Sequence, residues 1–134
     1  MSRSGYSEDL DEWDLIRWRG AVAKAIRGKR GQAFLREMLA ALDAMPEKRL
    51  IAAELVTETG EVCAMGAVCR ARGLDVSDLD ADDYSSVAPR VGLAEAMVRE
   101  IACENDDDLR ETAEQRWTRM RAWCAALVQE ARRG

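Results

Sequence analysis

The stretch 85–101, SSVAPRVGLAEAMVREI, decides the fold that the rest of the chain has to fit. Its apolar residues have the spacing of a helix-turn-helix unit, in which two short helices cross at a steep angle around a shared core. Gly92 stands where such a unit needs its turn, and Ala88 is small enough to let the second helix pack closely. The inward positions are Val87, Ala88, Val91, Leu93, Val98 and Ile101. The stretch therefore predicts a helical corner.

The other side of the second predicted helix argues against DNA readout. Its outward positions carry three carboxylates and one arginine, Glu95, Glu100, Glu104 and Arg99. A reading helix must neutralise phosphates and present base-reading side chains, and three carboxylates facing a polyanion are electrostatically unfavourable. We interpret the unit as a structural corner with an acidic outer face. A helix-turn-helix DNA-binding regulator that uses residues 85–101 is the alternative function.

Outward from the corner, the apolar periodicity predicts further helices. Thr112 and Gln115 have the spacing of a capping box, which predicts the start of a last helix. Residues 50–63 are ambiguous, because they also fit one small β-hairpin around the turn TETG. The other predicted helices cover about 11–27, 32–45, 63–73 and 94–104, with a short helix before Gly92. The expected fold is mainly α, a compact bundle of five to six helices.

Composition and charge bound the class of protein. The 134 residues suffice for one domain with its own core, and we expect a single helical domain over 1–134 with a flexible amino terminus at 1–10. The net charge of −5 opposes binding to nucleic acid or to an anionic membrane. No apolar run approaches the roughly 20 residues of a membrane span. We therefore expect a cytoplasmic protein, without nucleic-acid or membrane partners.

The absence of histidine excludes several kinds of site. Ser-His-Asp catalysis, Cys-His catalysis and a histidine zinc site cannot be built within this chain. The four cysteines lie among apolar neighbours and none forms a C-x-x-C pair, which is typical of small reduced core residues. They are Cys63, Cys69, Cys103 and Cys124. We predict no enzyme activity, no catalytic residue, no metal site and no cofactor.

Two charged segments leave weaker alternatives open. Asp78, Asp80 and Asp82 match the first ligand positions of an EF-hand loop, but Pro89 stands where the last ligand should be glutamate. A small enzyme or ligand-binding module built around the acidic loops remains the second alternative. The basic loop RGKRG, residues 27–31, could hold a phosphate before a helix start. The simpler interpretation is that its cations complement the end of the first helix.

One face of the first helix is a candidate binding surface. Trp13 lies about 170° around the helix from the apolar stripe, alongside Ile16, Arg17 and Lys24. Tryptophan and arginine are enriched in binding hot spots, so this face is predicted to engage a partner or a second copy. The alternative is that residues 4–10 fold over Trp13. The predicted partner-binding residues are Trp13, Ile16, Arg17 and Lys24, followed by Glu95, Glu100 and Glu104.

Three segments in order carry a resemblance to a known group of proteins. RGQAFLREMLAALDAMPEKRLIAAELVTETGEVCAMGAV, REIACEND and ETAEQRWTRMRAW resemble segments of small bacteriophage and prophage proteins. A broader set of small bacterial proteins similarly pairs a C-A-x-G-A segment, here residues 63–67, with a downstream N-D, here Asn105 and Asp106. The resemblance implies phage origin and no known activity. It also implies that Asn105 and Asp106 end one helix and steer the chain into the next.

These observations favour a non-enzymatic, phage-type protein. Small acidic phage proteins without catalytic residues often bind and redirect a host protein, and an acidic surface can imitate the charge of DNA. We expect a host or phage protein as the partner, with inhibition of a host factor or defence system as the outcome. A homodimer is left open.

Overall fold

The computed structural model describes the backbone of residues 12–133 and the side chains of residues 12–128. Within this range the chain forms six helices and no β-sheet, so the predicted mainly α-helical bundle is confirmed. The helices are α1 (Glu12–Arg27), α2 (Lys29–Ala44), α3 (Ala64–Ala71), α4 (Tyr84–Val91), α5 (Glu95–Asn105) and α6 (Ala113–Arg133). The segment 1–10, predicted to be flexible, lies outside the described residues.

The core lies where α2 packs along α6 and against α3. Leu35, Met38 and Leu42 of α2 are fully buried, and Met120 and Cys124 of α6 meet them from the other side. The Cys124 thiol donates a hydrogen bond to the Leu35 carbonyl oxygen at 3.0 Å. Each buried side chain of this size contributes about 1.5–3 kcal/mol relative to an exposed one. The four cysteines are all buried as free thiols, as the sequence predicts.

The helical corner predicted from residues 85–101 is present. Gly92 ends α4 in the left-handed region at φ 77°, where glycine is strongly favoured. Its amide donates to the Ala88 carbonyl at 2.9 Å, and the Leu93 amide donates to the same oxygen at 3.1 Å. Val87, Val98 and the other inward residues of the corner are buried. Two tight hydrogen bonds and a shared apolar interior therefore fix the crossing of α4 and α5.

The segment between α2 and α3 does not form the predicted hairpin. One isolated antiparallel bridge joins Val56 to Val62, and the described residues contain no strand. The turn before it is real, because the Gly60 amide donates to the Thr57 carbonyl at 3.0 Å. Backbone hydrogen bonds from Thr57 to Glu61 and from Cys63 to Leu55 flank the bridge, so the pairing is confined to a few residues around the turn. Farther back, the Leu50 amide bonds to the Ala113 carbonyl at the start of α6.

The predicted loop at residues 27–31 is wrong. Gly28 alone separates α1 from α2, which begins at Lys29 instead of residue 32. Gly31 lies inside α2, where a Cβ atom would come within 1.8 Å of the Ala25 carbonyl oxygen. Gly31 therefore allows α1 and α2 to approach closely, and α2 stays helical at this position.

The start of α6 confirms the predicted capping box. The Gln115 amide donates to the Thr112 hydroxyl at 3.1 Å, and the Thr112 amide donates to the Gln115 side-chain oxygen at 2.9 Å. Both otherwise unsatisfied amides are thereby bonded. None of the helices in the described part of the chain combines the length and the apolar character needed to cross a lipid bilayer.

Candidate functional site

The four residues predicted on the first helix share one exposed face. Trp13 is 70% exposed and Ile16 is 53% exposed, one helical turn apart. Arg17 is also exposed and pairs with Asp14 at 2.7 Å on the same surface. Lys24, exposed as well, continues the face toward the end of α1. We call Trp13, Ile16, Arg17 and Lys24 the α1 face.

The predicted acidic outer face of α5 is wrong in two of its three positions. Glu95 is exposed at the first turn, but Glu100 is only 8% exposed. Glu104 is mostly buried and forms an ion pair with Arg119 at 3.0 Å. The reason is that α5 packs against α1 and α6 as well as α3 and α4, so its outer side is covered. Because α1 covers this side of α5, the guanidinium of Arg99 lies 5.3 Å from the ring centre of Trp18.

Asn105 and Asp106 do more than end α5. Asn105 is fully buried; its side-chain oxygen accepts a hydrogen bond from the Ala64 amide at 3.1 Å, and its side-chain nitrogen donates to the Ile51 carbonyl at 2.9 Å. The Asp106 carboxylate accepts from the Ala53 amide at 3.1 Å. Ala64 opens α3 inside the C-A-x-G-A segment. The two segments that the sequence resemblance pairs are thus in direct contact, and the contact fixes the start of α3.

Arg116 hydrogen-bonds to several backbone carbonyl oxygens around these residues. Its side chain is 5% exposed and donates to the carbonyl oxygens of Asn105 at 3.1 Å, Leu50 at 3.1 Å and Asp108 at 3.0 Å. The Glu111 carboxylate lies 3.5 Å from its guanidinium and supplies the opposite charge. A buried arginine with this many partners is well satisfied, so Arg116 ties the loop before α3 to the loop before α6.

Arg119 extends the same cluster by one turn of α6. It donates two hydrogen bonds to the Glu111 carboxylate at 2.7 and 2.9 Å and one to Glu104 at 3.0 Å. The bonds to Glu111 raise the pKa of Arg119 above its ordinary value. We call Glu104, Asn105, Glu111, Arg116 and Arg119 the polar cluster. The sequence prediction missed it, although two arginines three residues apart after an acidic run were a visible signal.

A small cavity lies beside the polar cluster, and neither its size nor its cysteine favours catalysis. Its polar lining residues are Glu54, Cys63, Asn105 and Asp106, the rest are apolar, and its volume of about 20 Å³ suits roughly one water molecule. Burial raises the pKa of the Cys63 thiol to about 12, and its sulfur accepts a hydrogen bond from the Gly66 amide at 3.3 Å. Because the thiolate is the reactive form, this cysteine is a poor nucleophile at neutral pH. No cluster of metal-ligating side chains occurs among residues 12–128.

Comparison with known proteins adds no assignment. The chain matches no protein-family model, no curated protein and no solved structure.

Proposed function

We propose that this chain is a non-enzymatic, phage-type cytoplasmic protein that binds a host or phage protein through the α1 face, with inhibition of a host factor as the result. The observation that carries the proposal is the exposure of Trp13 and Ile16 one turn apart. Large apolar side chains exposed to water lower their free energy when a partner covers them. Tryptophan flanked by arginine is a frequent centre of binding energy in protein interfaces.

The charge of the α1 face favours a different protein over a second copy of this chain. Arg17 and Lys24 flank the apolar pair. In a two-fold symmetric dimer the same patch meets itself, so the charge of Lys24, which has no described carboxylate partner, would enter the interface twice, whereas Arg17 is already paired with Asp14. A partner that carries carboxylates around an apolar pocket avoids this repulsion.

The packing of α5 argues against the alternative DNA-binding regulator. A reading helix has to enter the major groove with one side open. In this chain α5 contacts four other helices, and its buried residues include Met97, Val98 and Ile101. The acidic loops give the second alternative little support, because Asp78 pairs with Arg90 at 2.9 Å.

Affinity capture from host lysate with matched variants tests the proposal. Trp13→Ala removes the centre of the α1 face, while Leu109→Ala removes an equally exposed apolar side chain elsewhere, 72% against 70% exposed. We expect a host or phage protein that is retained by wild type and by Leu109→Ala and is lost with Trp13→Ala. Equal retention by all three proteins contradicts the proposal. Sedimentation of wild type as a dimer that Trp13→Ala dissociates assigns the face to self-association instead.

A further inference from the structure

A groove lies where α1, the start of α2 and the start of α5 meet. Its floor is mainly apolar and includes Ala25, Leu93 and Met97, and its rim carries Lys24, Lys29 and Arg30. Its volume is about 560 Å³, and it is open along one side. This size lies within the range of about 300–1,000 Å³ that is usual for ligand-binding clefts. Lys24 belongs both to this groove and to the α1 face.

The rim cations lack carboxylate partners. Within the described residues, the side chains of Lys24, Lys29 and Arg30 form no hydrogen bond and no ion pair. Glu95 follows directly after the groove lining and does not pair with any of them. In a chain of net charge −5 carboxylates are abundant, yet no described carboxylate pairs with the three cations that line this one groove.

Several exposed arginines elsewhere in the described residues pair with carboxylates, although Arg27 and Arg36 do not. Arg72 pairs with Glu37 at 2.6 Å, Arg90 with Asp78 at 2.9 Å, and Arg121 with Asp43 at 2.7 Å. Helix dipoles give the rim cations little net stabilisation either. Cations near the end of α1 are favoured, whereas cations in the first turn of α2 are disfavoured, and the two contributions oppose each other. The described residues therefore leave the positive charge of the rim unneutralised, and this charge can attract a partner.

We propose that the groove binds an acidic segment of a partner protein that also carries an apolar side chain. The rim would pair with carboxylates while the apolar side chain covers the floor, which is the usual division between polar rim and apolar centre in protein interfaces. This proposal rests on the proposed function and names the chemistry of the partner. It places that partner across the α1 face, the groove and the shared Lys24.

An acidic protein segment fits the groove better than nucleic acid does. The accessible part of the floor includes Ala21, Ala25 and Ala94, and a phosphate backbone has no apolar group to place there.

Selection of short random peptides displayed on a carrier, using the full chain as bait, tests the partner chemistry. The enriched peptides are then synthesised with a fluorescent label and titrated by anisotropy against wild type and two variants. Lys29→Glu reverses a rim charge, and Arg36→Glu reverses an exposed charge two turns along the same helix, outside the groove. We expect peptides rich in Asp, Glu and apolar residues whose affinity falls about tenfold with Lys29→Glu, less than about twofold with Arg36→Glu, and further with added salt.

Three outcomes overturn the inference. Enriched peptides of neutral or positive charge, or no enriched peptide, contradict the stated partner chemistry. Equal losses of peptide affinity with Lys29→Glu and Arg36→Glu would show that the effect depends on net charge and not on the groove. Labelled duplex DNA that binds wild type and is lost with Lys29→Glu assigns the rim to nucleic acid. Since none of these titrations uses host lysate, they can fail while the capture with Trp13→Ala succeeds, and the reverse holds as well.

Discussion

The polar cluster and the basic groove use similar side chains for opposite purposes. In the polar cluster the side chain of Arg116 is buried and that of Arg119 is 30% exposed, and each contacts a carboxylate and at least two carbonyl oxygens. In the groove Lys29 and Arg30 stay in water without a described carboxylate. Removing a partner from a buried charge is far more costly than removing an exposed charge. The comparison indicates that the first region specifies the fold and the second is free to serve binding.

The largest expected effect comes from Arg116→Met in the polar cluster. The change removes the side-chain donor to the carbonyl oxygens of Leu50 and Asn105 and the positive charge beside Glu111, which keeps its hydrogen bonds from Arg119. We expect the free energy of unfolding to fall by about 3–5 kcal/mol, measured by urea denaturation. Arg110→Met, at a side chain 95% exposed, is the control and should change it by less than about 0.5 kcal/mol. Similar losses of unfolding free energy for both variants would mean that the buried Arg116 contributes no more to stability than the exposed Arg110.

An intermediate effect concerns pH and the half-exposed pair of Glu37 and Arg72. Hydrogen bonding from Arg72 holds the pKa of Glu37 below its ordinary value of 4.5. A carboxyl whose pKa is lowered by folding stabilises the folded state above its unfolded pKa, and this contribution is lost as pH falls through the folded pKa. Because solvent screens the pair, we expect it to contribute less than about 1 kcal/mol. Glu37→Gln should therefore be less stable than wild type at pH 7, with the difference vanishing in acid.

Urea denaturation of wild type and Glu37→Gln across this pH range gives the measurement. Arg72 also donates to the Val91 carbonyl and lies 5.4 Å from the centre of the Phe34 ring, so it is left unchanged. A difference that persists at low pH would assign the effect to packing at Glu37 instead of to its charge.

The smallest expected effect on stability is that of Trp13→Ala on the α1 face. Trp13 contributes little to the folded state because most of its surface is in water, so the free energy of unfolding should change by about 0.5 kcal/mol or less. Trp117→Ala is the matched comparison. That tryptophan packs against the core and donates to the Leu42 carbonyl at 3.1 Å, and its loss should destabilise by about 3 kcal/mol. Thermal unfolding of both variants checks the contrast, and equal losses would make Trp13 part of the core.

Local patterns predicted the parts of the fold that depend on neighbours in sequence. Apolar periodicity identified the helices, Gly92 the corner, and Thr112 with Gln115 the start of α6. Patterns could not tell that α1 and α6 cover α5, and for this reason Glu100 and Glu104 were placed on the wrong side. Whether a glycine breaks a helix or admits a neighbour, as Gly31 does, also depends on contacts that the sequence does not display.

The candidate site likewise has features that a local sequence pattern predicts and features that depend on distant residues. The exposure of Trp13 follows from its angle on one helix, so the sequence could predict it. Neither the burial of Arg116 nor the bond from Ala64 to Asn105 could be predicted, because these residues meet segments 66 and 41 residues away in the chain.

Asn105 and Arg116 also impose an order on folding. The segment between α2 and α3 contains little regular structure, and its backbone is held by residues 41 to 66 positions later in the chain. Contacts of such long sequence separation form late, because a long loop must close before they are made. During synthesis this segment leaves the ribosome well before its partners. It acquires its final hydrogen bonds only when the first turns of α6 have emerged, so the last quarter of the chain completes the fold of its middle.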